Sequence, residues 1–569
     1  MVLERSRRSP FDVLFVARLG EGSMASTSAS VGGKAAAGQG LFTRQSSGLV
    51  RELGVPAATG IALASVAVVN TFINFNAGLV SFNQADMTLP LLLGAAIWLV
   101  AMFAYKYLLE AIPRAGGEYV YLSRIISPAL GAMAGISICI AFTYILAANA
   151  NFTAAYTPFM LTALGAAFNS SAISDAAGNV TSQGAIAAIS VVMLLVVGAV
   201  SLVSIRRLAQ VILALVGIQL LAFLVLGWLL ITHSHQDFVN ALATFSNHPN
   251  AFNDILAAAQ KNQIPLGISI GASLTAVPFM VLNYNGVLYA YYVGGELKRP
   301  GRTYLYASVI SIGLLVVVWL GVWLLMRNTV GLDFMQSQAK LGATDPDAYG
   351  KITSLQSSAG GLGYGLILSG DPISKILIGI AVPSAELAVD LAFVAVVTRV
   401  MFALAFDRLL PISLAKISER SAIPTNAIIV AVVIGILFAI LAAFVNLSNI
   451  VANLALFVAL IIVAGGVAAT ALPYRRPDLI MRPGQTELAR VGGVPVPSLW
   501  GAATTLLAVI VVALIVTHPE VFGSFTLTSV GALVIVLLAG PVIYLIARQM
   551  RLSRSSIDLR LAMRELPPE

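Results

Sequence analysis

The stretch VVNTFINFNAG, residues 68–78, places four polar side chains and a glycine inside an otherwise apolar run. A second stretch of this kind, VPFMVLNYNG at residues 277–286, adds a proline. Asparagine competes for main-chain hydrogen bonds, glycine relaxes the helix, and proline removes a donor. Both runs are therefore predicted to unwind, the first from Val69 to Asn76 and the second around Asn283 to Gly286. The alternative is that these asparagines hold helices together in lipid.

The composition around these stretches is that of a membrane protein. The 569 residues are 58% hydrophobic and 10% charged, with a mean hydropathy of +0.91, whereas soluble domains are about 25% charged. Apolar runs of about 20 residues, the length needed to cross a bilayer, recur along the chain and do not alternate with polar residues. The predicted fold class is an all-α polytopic membrane protein. Its twelve predicted spans are residues 55–80, 88–110, 128–158, 184–204, 208–232, 265–293, 303–326, 373–405, 424–445, 449–472, 499–517 and 525–547.

The basic residues predict the orientation of these spans. Of the 33 Lys and Arg residues, 26 fall on the side that also carries both termini, and five fall on the opposite side. The positive-inside rule then places both termini in the cytoplasm of a plasma-membrane protein. The charge of +8 is explained by this topology, so no nucleic acid partner is expected.

The chain is predicted to consist of six regions. Two breaks in corresponding spans indicate an inverted repeat, since five spans per repeat reverse the orientation. The regions are a disordered N-terminus (1–50), a first repeat with helices 1–5 (51–232), an external loop (233–264), a second repeat with helices 6–10 (265–472), helices 11 and 12 (473–548) and a cytoplasmic tail (549–569). The external connections 233–264 and 327–372 are expected to carry short amphipathic helices, and AGGLGYG at 359–365 is interpreted as a flexible loop.

Three motifs resemble the amino acid–polyamine–organocation superfamily of permeases. They are IPRAGGEYVYLSR at residues 112–124, NYNGVLYAYYVGGELKRPGR at 283–302, and TRVMFALAFDRLLP at 398–411 with IP at 423–424. The resemblance covers about residues 50–550. It implies the leucine-transporter-type fold and amino acid transport by alternating access, with the substrate carboxylate at the break in span 1 and its amine at the break in span 6.

Two positions depart from the family pattern. The glycine-containing triplet usual in span 1 is replaced by Val69–Asn70–Thr71, so side-chain donors are expected there. Gln219 stands where proton-coupled members often have lysine. The predicted substrate-binding residues are Val69, Asn70, Thr71, Asn74, Phe279, Asn283, Tyr284, Asn285 and Gly286.

Charged residues inside the spans suggest further roles. Glu386 and Asp390 lie four residues apart on one face of span 8, and a deep carboxylate normally faces protein or water. We interpret them as coupling residues, either proton carriers or Na⁺ ligands. They could instead bind a cationic substrate or form structural hydrogen bonds. Glu110, Glu296 and Arg399 are predicted to form gate or loop ion pairs.

The predicted function is secondary active transport of a neutral or apolar amino acid, because no basic side chain lies in the predicted pocket. The alternatives are an amine, polyamine or cationic amino acid carrier, a channel and, remotely, a membrane-embedded enzyme. The four histidines lack metal-binding spacing, and no nucleophile–base arrangement lies in the spans. We therefore expect no catalytic residues, no metal site and no cofactor besides a coupling H⁺ or Na⁺. The expected partners are an amino acid and the lipid bilayer, with the oligomeric state open.

Overall fold

The computed structural model describes residues 49–418, 421–445, 448–481, 488–519, 526–555 and 558–563. The predicted disordered N-terminus therefore lies almost wholly outside the described residues. Within them, eleven helical segments are long and apolar enough to span a membrane, and a shorter apolar segment, Ile270–Asn283, lies in the predicted sixth span. These segments confirm the predicted all-α membrane fold.

The first half of the chain forms ten helices. A 3₁₀ turn at Val68–Asn70 joins the first two, so that together they make up span 1. The helices are α1 (Val55–Ala64), α2 (Thr71–Ser81), α3 (Thr88–Ala111), α4 (Gly117–Ile125), α5 (Pro128–Phe168), α6 (Ser171–Asn179), α7 (Gln183–Ser201), α8 (Ile205–Thr232), α9 (His235–Ser246) and α10 (Ala251–Lys261).

The second half begins with span 6, in which α11 and α12 are followed by a 3₁₀ segment at Tyr289–Glu296. Further 3₁₀ turns lie at Ser357–Ala359 and Ile412–Ala415, and strands β1 (Arg490–Val491) and β2 (Val494–Pro495) form an antiparallel hairpin. The helices are α11 (Ile270–Thr275), α12 (Val277–Asn283), α13 (Pro300–Thr329), α14 (Leu332–Thr344), α15 (Pro346–Ile352), α16 (Gly361–Leu368), α17 (Pro372–Phe406), α18 (Thr425–Phe444), α19 (Ser448–Arg475), α20 (Pro477–Ile480), α21 (Val496–Thr517), α22 (Leu527–Ser555) and α23 (Leu559–Ala562).

Helix α17 forms the centre of the fold and carries the predicted coupling residues. The most apolar part of this helix is 94% buried, and it packs against α5 and α8. The helix begins where the Asp371 side chain accepts a hydrogen bond from the Ser374 amide, with Pro372 at its first position, as helix N-termini favour.

Spans 1 and 6 are tied together at both ends by main-chain hydrogen bonds. At one face, which we call the basic face because exposed arginines such as Arg206 and Arg302 lie there, the Leu53 amide donates to the Glu296 carbonyl (2.9 Å). At the opposite face the Ser269 amide donates to the Gln84 carbonyl (2.8 Å). The two broken helices therefore lie side by side through the fold.

The loop prediction for residues 359–365 is wrong. Gly361–Leu368 is a helix in which nearly every residue is buried, and it packs against α2. Gly360 adopts a φ of +52°, and a Cβ there would lie 2.5 Å from the Phe72 carbonyl oxygen. The glycines thus allow close packing against span 1, and they do not indicate flexibility here. Short helices do occur in both long connections, as predicted.

Candidate functional site

A cavity of about 260 Å³ lies between the breaks in spans 1 and 6, α5 and α17. This volume suits a ligand smaller than those that fill typical drug-sized pockets of about 300–1,000 Å³. Its polar lining consists of Ser65, Glu386 and five asparagines, Asn70, Asn74, Asn149, Asn283 and Asn285. The apolar lining comes from Val66, Ala67, Ile145, Phe279, Leu282, Val389 and Phe393.

The break in span 1 lies earlier than the sequence predicts. Helix α1 ends at Ala64, Ala67 takes the left-handed conformation with a φ of +50°, and regular helix resumes at Thr71. The predicted break from Val69 to Asn76 is therefore corrected to about residues 65–70. The asparagines at 74 and 76 do not break the helix. One of them, Asn74, donates a side-chain hydrogen bond to Asn283 Oδ1 in span 6. Its side chain therefore does not compete for the main-chain hydrogen bonds of its own helix.

The break in span 6 follows Asn283, as predicted. Gly286 has a φ of +98°, and a Cβ on it would lie 2.5 Å from the Ser65 carbonyl oxygen. Left-handed backbone and close main-chain approach both favour glycine. The two breaks therefore contact each other directly beside the cavity.

The predicted binding residues fall into two groups. Asn70, Asn74, Phe279, Asn283 and Asn285 line the cavity. The other four, Val69, Thr71, Tyr284 and Gly286, are buried and are not among the lining residues.

Two of these four residues make contacts outside the cavity lining. The Val69 amide donates to Gln219 Oε1 (3.4 Å), and the Tyr284 ring packs on Trp319 with the ring centroids 4.7 Å apart. These residues shape the two breaks from outside the cavity.

Each carboxylate of α17 is held by an asparagine from another element. Asn70 Nδ2 donates to Glu386 Oε1, and Asn149 Nδ2 donates to Asp390 Oδ1 (3.0 Å). Glu386 lines the cavity, whereas Asp390 is fully buried behind it. Among the described residues, neither carboxylate has a salt-bridge partner.

Two of the predicted gate residues form a buried ion pair outside the cavity lining. Arg399 makes two hydrogen bonds to Glu296, from Nη2 to Oε1 (2.9 Å) and from Nε to Oε2 (3.2 Å), and both side chains are at most 2% exposed. Two of the three predicted gate residues thus form one ion pair. Glu110 does not join them, because it pairs with Lys106 one helical turn away (3.2 Å) at a partly exposed position.

Sequence reasoning assigned no role to Glu118 of the GGEYVY motif. This residue is fully buried in α4, outside the spans, and its Oε1 accepts hydrogen bonds from Tyr105 (2.7 Å) and Tyr291. Burial raises the pKa of Glu118, and the tyrosine hydrogen bonds offset part of that rise. The sequence feature that could have drawn attention to Glu118 is an acidic residue among tyrosines in a family motif.

The lining residues Ile145, Val389 and Phe393 were also missed. They are apolar residues in apolar helices, so nothing in their local sequence separates them from residues that face lipid.

The family comparison agrees with this architecture. A family model described as "Amino acid permease" matches residues 58–556, which include both breaks, the cavity and nearly all the spans. A search of curated proteins gave no match.

Proposed function

The chain belongs to the amino acid permease family, and from that premise we propose that it is a secondary transporter that moves its substrate across the plasma membrane by alternating access. The observation that supports this proposal is the cavity between two broken helices, the arrangement that transporters with inverted repeats use at mid-membrane. We place the basic face and both termini in the cytoplasm, as the positive-inside rule requires.

The helix ends suggest how an amino acid is held. The 3₁₀ turn of span 1 begins beside the cavity, and α12 ends at Asn283, which lines it. Helix N-termini attract anions and helix C-termini attract cations. The substrate carboxylate is thus oriented toward Ala67 at the start of this turn, and its ammonium toward Asn283 and Asn285.

The coupling proposal rests on Asp390. The residue is fully buried, does not line the cavity, and is held by Asn149, which does line it. Substrate binding at Asn149 can therefore change the environment of Asp390 without direct contact. We propose that Asp390 carries coupling, as a proton carrier or as a Na⁺ ligand, and that Glu386 contributes.

We expect Asp390→Asn to abolish ion-driven accumulation and to leave substrate exchange in place. The amide keeps the size of the side chain but can neither carry a proton nor supply a carboxylate charge. The measurement is uptake into proteoliposomes with an imposed pH gradient or Na⁺ gradient. The matched control is Asp478→Asn, at a side chain 58% exposed on the surface. Ion-dependent uptake equal to wild type would refute this role.

The transport proposal is tested by counterflow of radiolabelled amino acids in liposomes, together with thermal melting of the purified protein. A ligand at about 100 times its Kd stabilises the native state by about 2.7 kcal/mol. Saturable counterflow and a raised melting temperature with at least one amino acid are expected. Non-saturable flux would indicate a channel, and an amino acid screen with no response in either assay would reject the proposal.

Two classes of substrate side chain are considered, one neutral or apolar and one cationic. The sequence-based expectation of a neutral or apolar amino acid is supported by the seven apolar lining residues. The alternative of a cationic amino acid or amine is favoured by a specific observation, the position of Glu386 in the cavity lining.

A further inference from the structure

Glu386 is the only ionisable side chain among the described residues that line the cavity. It is 1% exposed, and no salt bridge neutralises it within the described part of the chain. An ionised carboxylate in such a place is costly unless a positive charge or hydrogen-bond donors face it. The cavity wall therefore holds a carboxyl group that is stable in its ionised form only when a positive charge or further hydrogen-bond donors face it.

Two buried atoms of the lining residues have no hydrogen-bond partner in the described structure, Glu386 Oε2 and Asn70 Oδ1. Both atoms accept hydrogen bonds when Glu386 is ionised, and their two side chains are already joined by the bond from Asn70 Nδ2 to Glu386 Oε1. A group that satisfies both must supply at least two donors. Ammonium and guanidinium groups do so and add the positive charge that Glu386 requires.

In the proposed binding mode, the α-carboxylate and the α-ammonium that all amino acids share have partners other than Glu386. The α-carboxylate is placed at the helix N-terminus of span 1, and the α-ammonium at the C-terminus of α12. A zwitterion with an apolar side chain would therefore leave an ionised Glu386 without a positive charge beside it. A third charge on the substrate, a positive one, would balance the site.

The surface next to Glu386 is apolar. Glu386, Val389 and Phe393 all line the cavity, and their spacing of three and four residues puts them on one face of α17. Ile145 of α5, a helix that packs against α17, also lines the cavity. A methylene chain can pack on this surface while its terminal nitrogen reaches the carboxylate, as long cationic side chains commonly do.

We propose that the cavity binds a basic amino acid, with an aliphatic stem on Val389 and Phe393 and a terminal cation on Glu386 and Asn70. This proposal rests on the proposed amino acid transport and adds the substrate class. Glu386 then selects the substrate besides contributing to coupling, and Asp390 behind it remains the main coupling residue.

The test compares two ligands that differ mainly in the charged group, L-lysine and L-norleucine. Binding to the purified full-length protein is measured by thermal melting and by titration calorimetry. We expect L-lysine to bind at least about tenfold more tightly than L-norleucine, since a hydrogen bond to a charged group typically contributes that much or more. This comparison needs no variant and so does not depend on any variant folding.

A variant then assigns the effect to the residue. We expect Glu386→Gln to weaken L-lysine binding at least about tenfold and to change L-norleucine binding less than about threefold. The matched control is Glu52→Gln, at an exposed position outside the spans, which should leave both affinities unchanged.

Three other results would contradict either the proposed substrate class or the proposed function. Equal or tighter binding of L-norleucine to wild type overturns the proposal and leaves amino acid transport standing. Equal weakening of both ligands by Glu386→Gln also overturns it, because Glu386 would then contact the α-ammonium. If no amino acid binds at all, the proposed function itself fails.

Discussion

Gly286→Ala is expected to abolish transport. Gly286 has a φ of +98°, and a Cβ added to it would lie 2.5 Å from the Ser65 carbonyl oxygen and 2.7 Å from Ser65 Cβ. Left-handed backbone costs a residue with a Cβ about 1–2 kcal/mol, and overpacking typically adds about 1–3 kcal/mol. The neighbour is main chain at the break in span 1, so it does not move aside as a flexible side chain would.

The two breaks must separate to relieve this contact, which moves the helix ends that orient the substrate. A conformational penalty of about 3 kcal/mol corresponds to a loss in affinity of roughly 100-fold. Uptake and ligand-induced melting shifts measure the effect. The control is Gly313→Ala, a helical glycine of α13 with open space around it, where alanine is neutral or slightly stabilising. Wild-type uptake by the Gly286 variant would contradict the packing of the two breaks.

Glu296→Gln is expected to destabilise the folded protein. Its carboxylate accepts two hydrogen bonds from Arg399, and both side chains are at most 2% exposed. Removing one partner of a buried ion pair leaves the other charge uncompensated, at a cost of about 3–5 kcal/mol. Replacing both partners removes that charge, so the double variant Glu296→Gln with Arg399→Gln should be more stable than either single variant.

Thermal melting of the two single variants and the double variant forms a complete cycle for this pair. The matched control is Glu110→Gln, because its partner Lys106 lies at a partly exposed position, where an ion pair is worth about 0–1 kcal/mol. If the double variant loses as much stability as the two single variants combined, the pair makes no coupled contribution and its predicted gate role fails.

Much of the fold could be predicted because hydropathy is a local property. Runs of about 20 apolar residues specify spans wherever the chain places them. The break after Asn283 was predictable for the same reason, since Pro278, the asparagines and Gly286 each disfavour a regular helix through their own chemistry.

The break in span 1 was predicted too late in the sequence, because no residue type at its start is typical of a helix break. Ser65, Val66 and Ala67 are ordinary residues for a helix in lipid, yet Ala67 adopts a φ of +50°. The opposing Gly286 fits closely against Ser65, a contact between residues more than 200 positions apart in the chain. Asn74 has the residue type of a helix breaker and instead bridges to Asn283 in span 6.

The sequence by itself determined that this is a helical membrane protein with two interrupted helices and two carboxylates in span 8, because composition, spacing and residue chemistry are local. Only the tertiary structure decided which side chains face the cavity, that Glu386 lines it while Asp390 lies behind it, and that Asn70 and Asn149 hold them. The physical reason is that a side chain's partner depends on how distant helices pack, and the sequence of one helix does not contain that information.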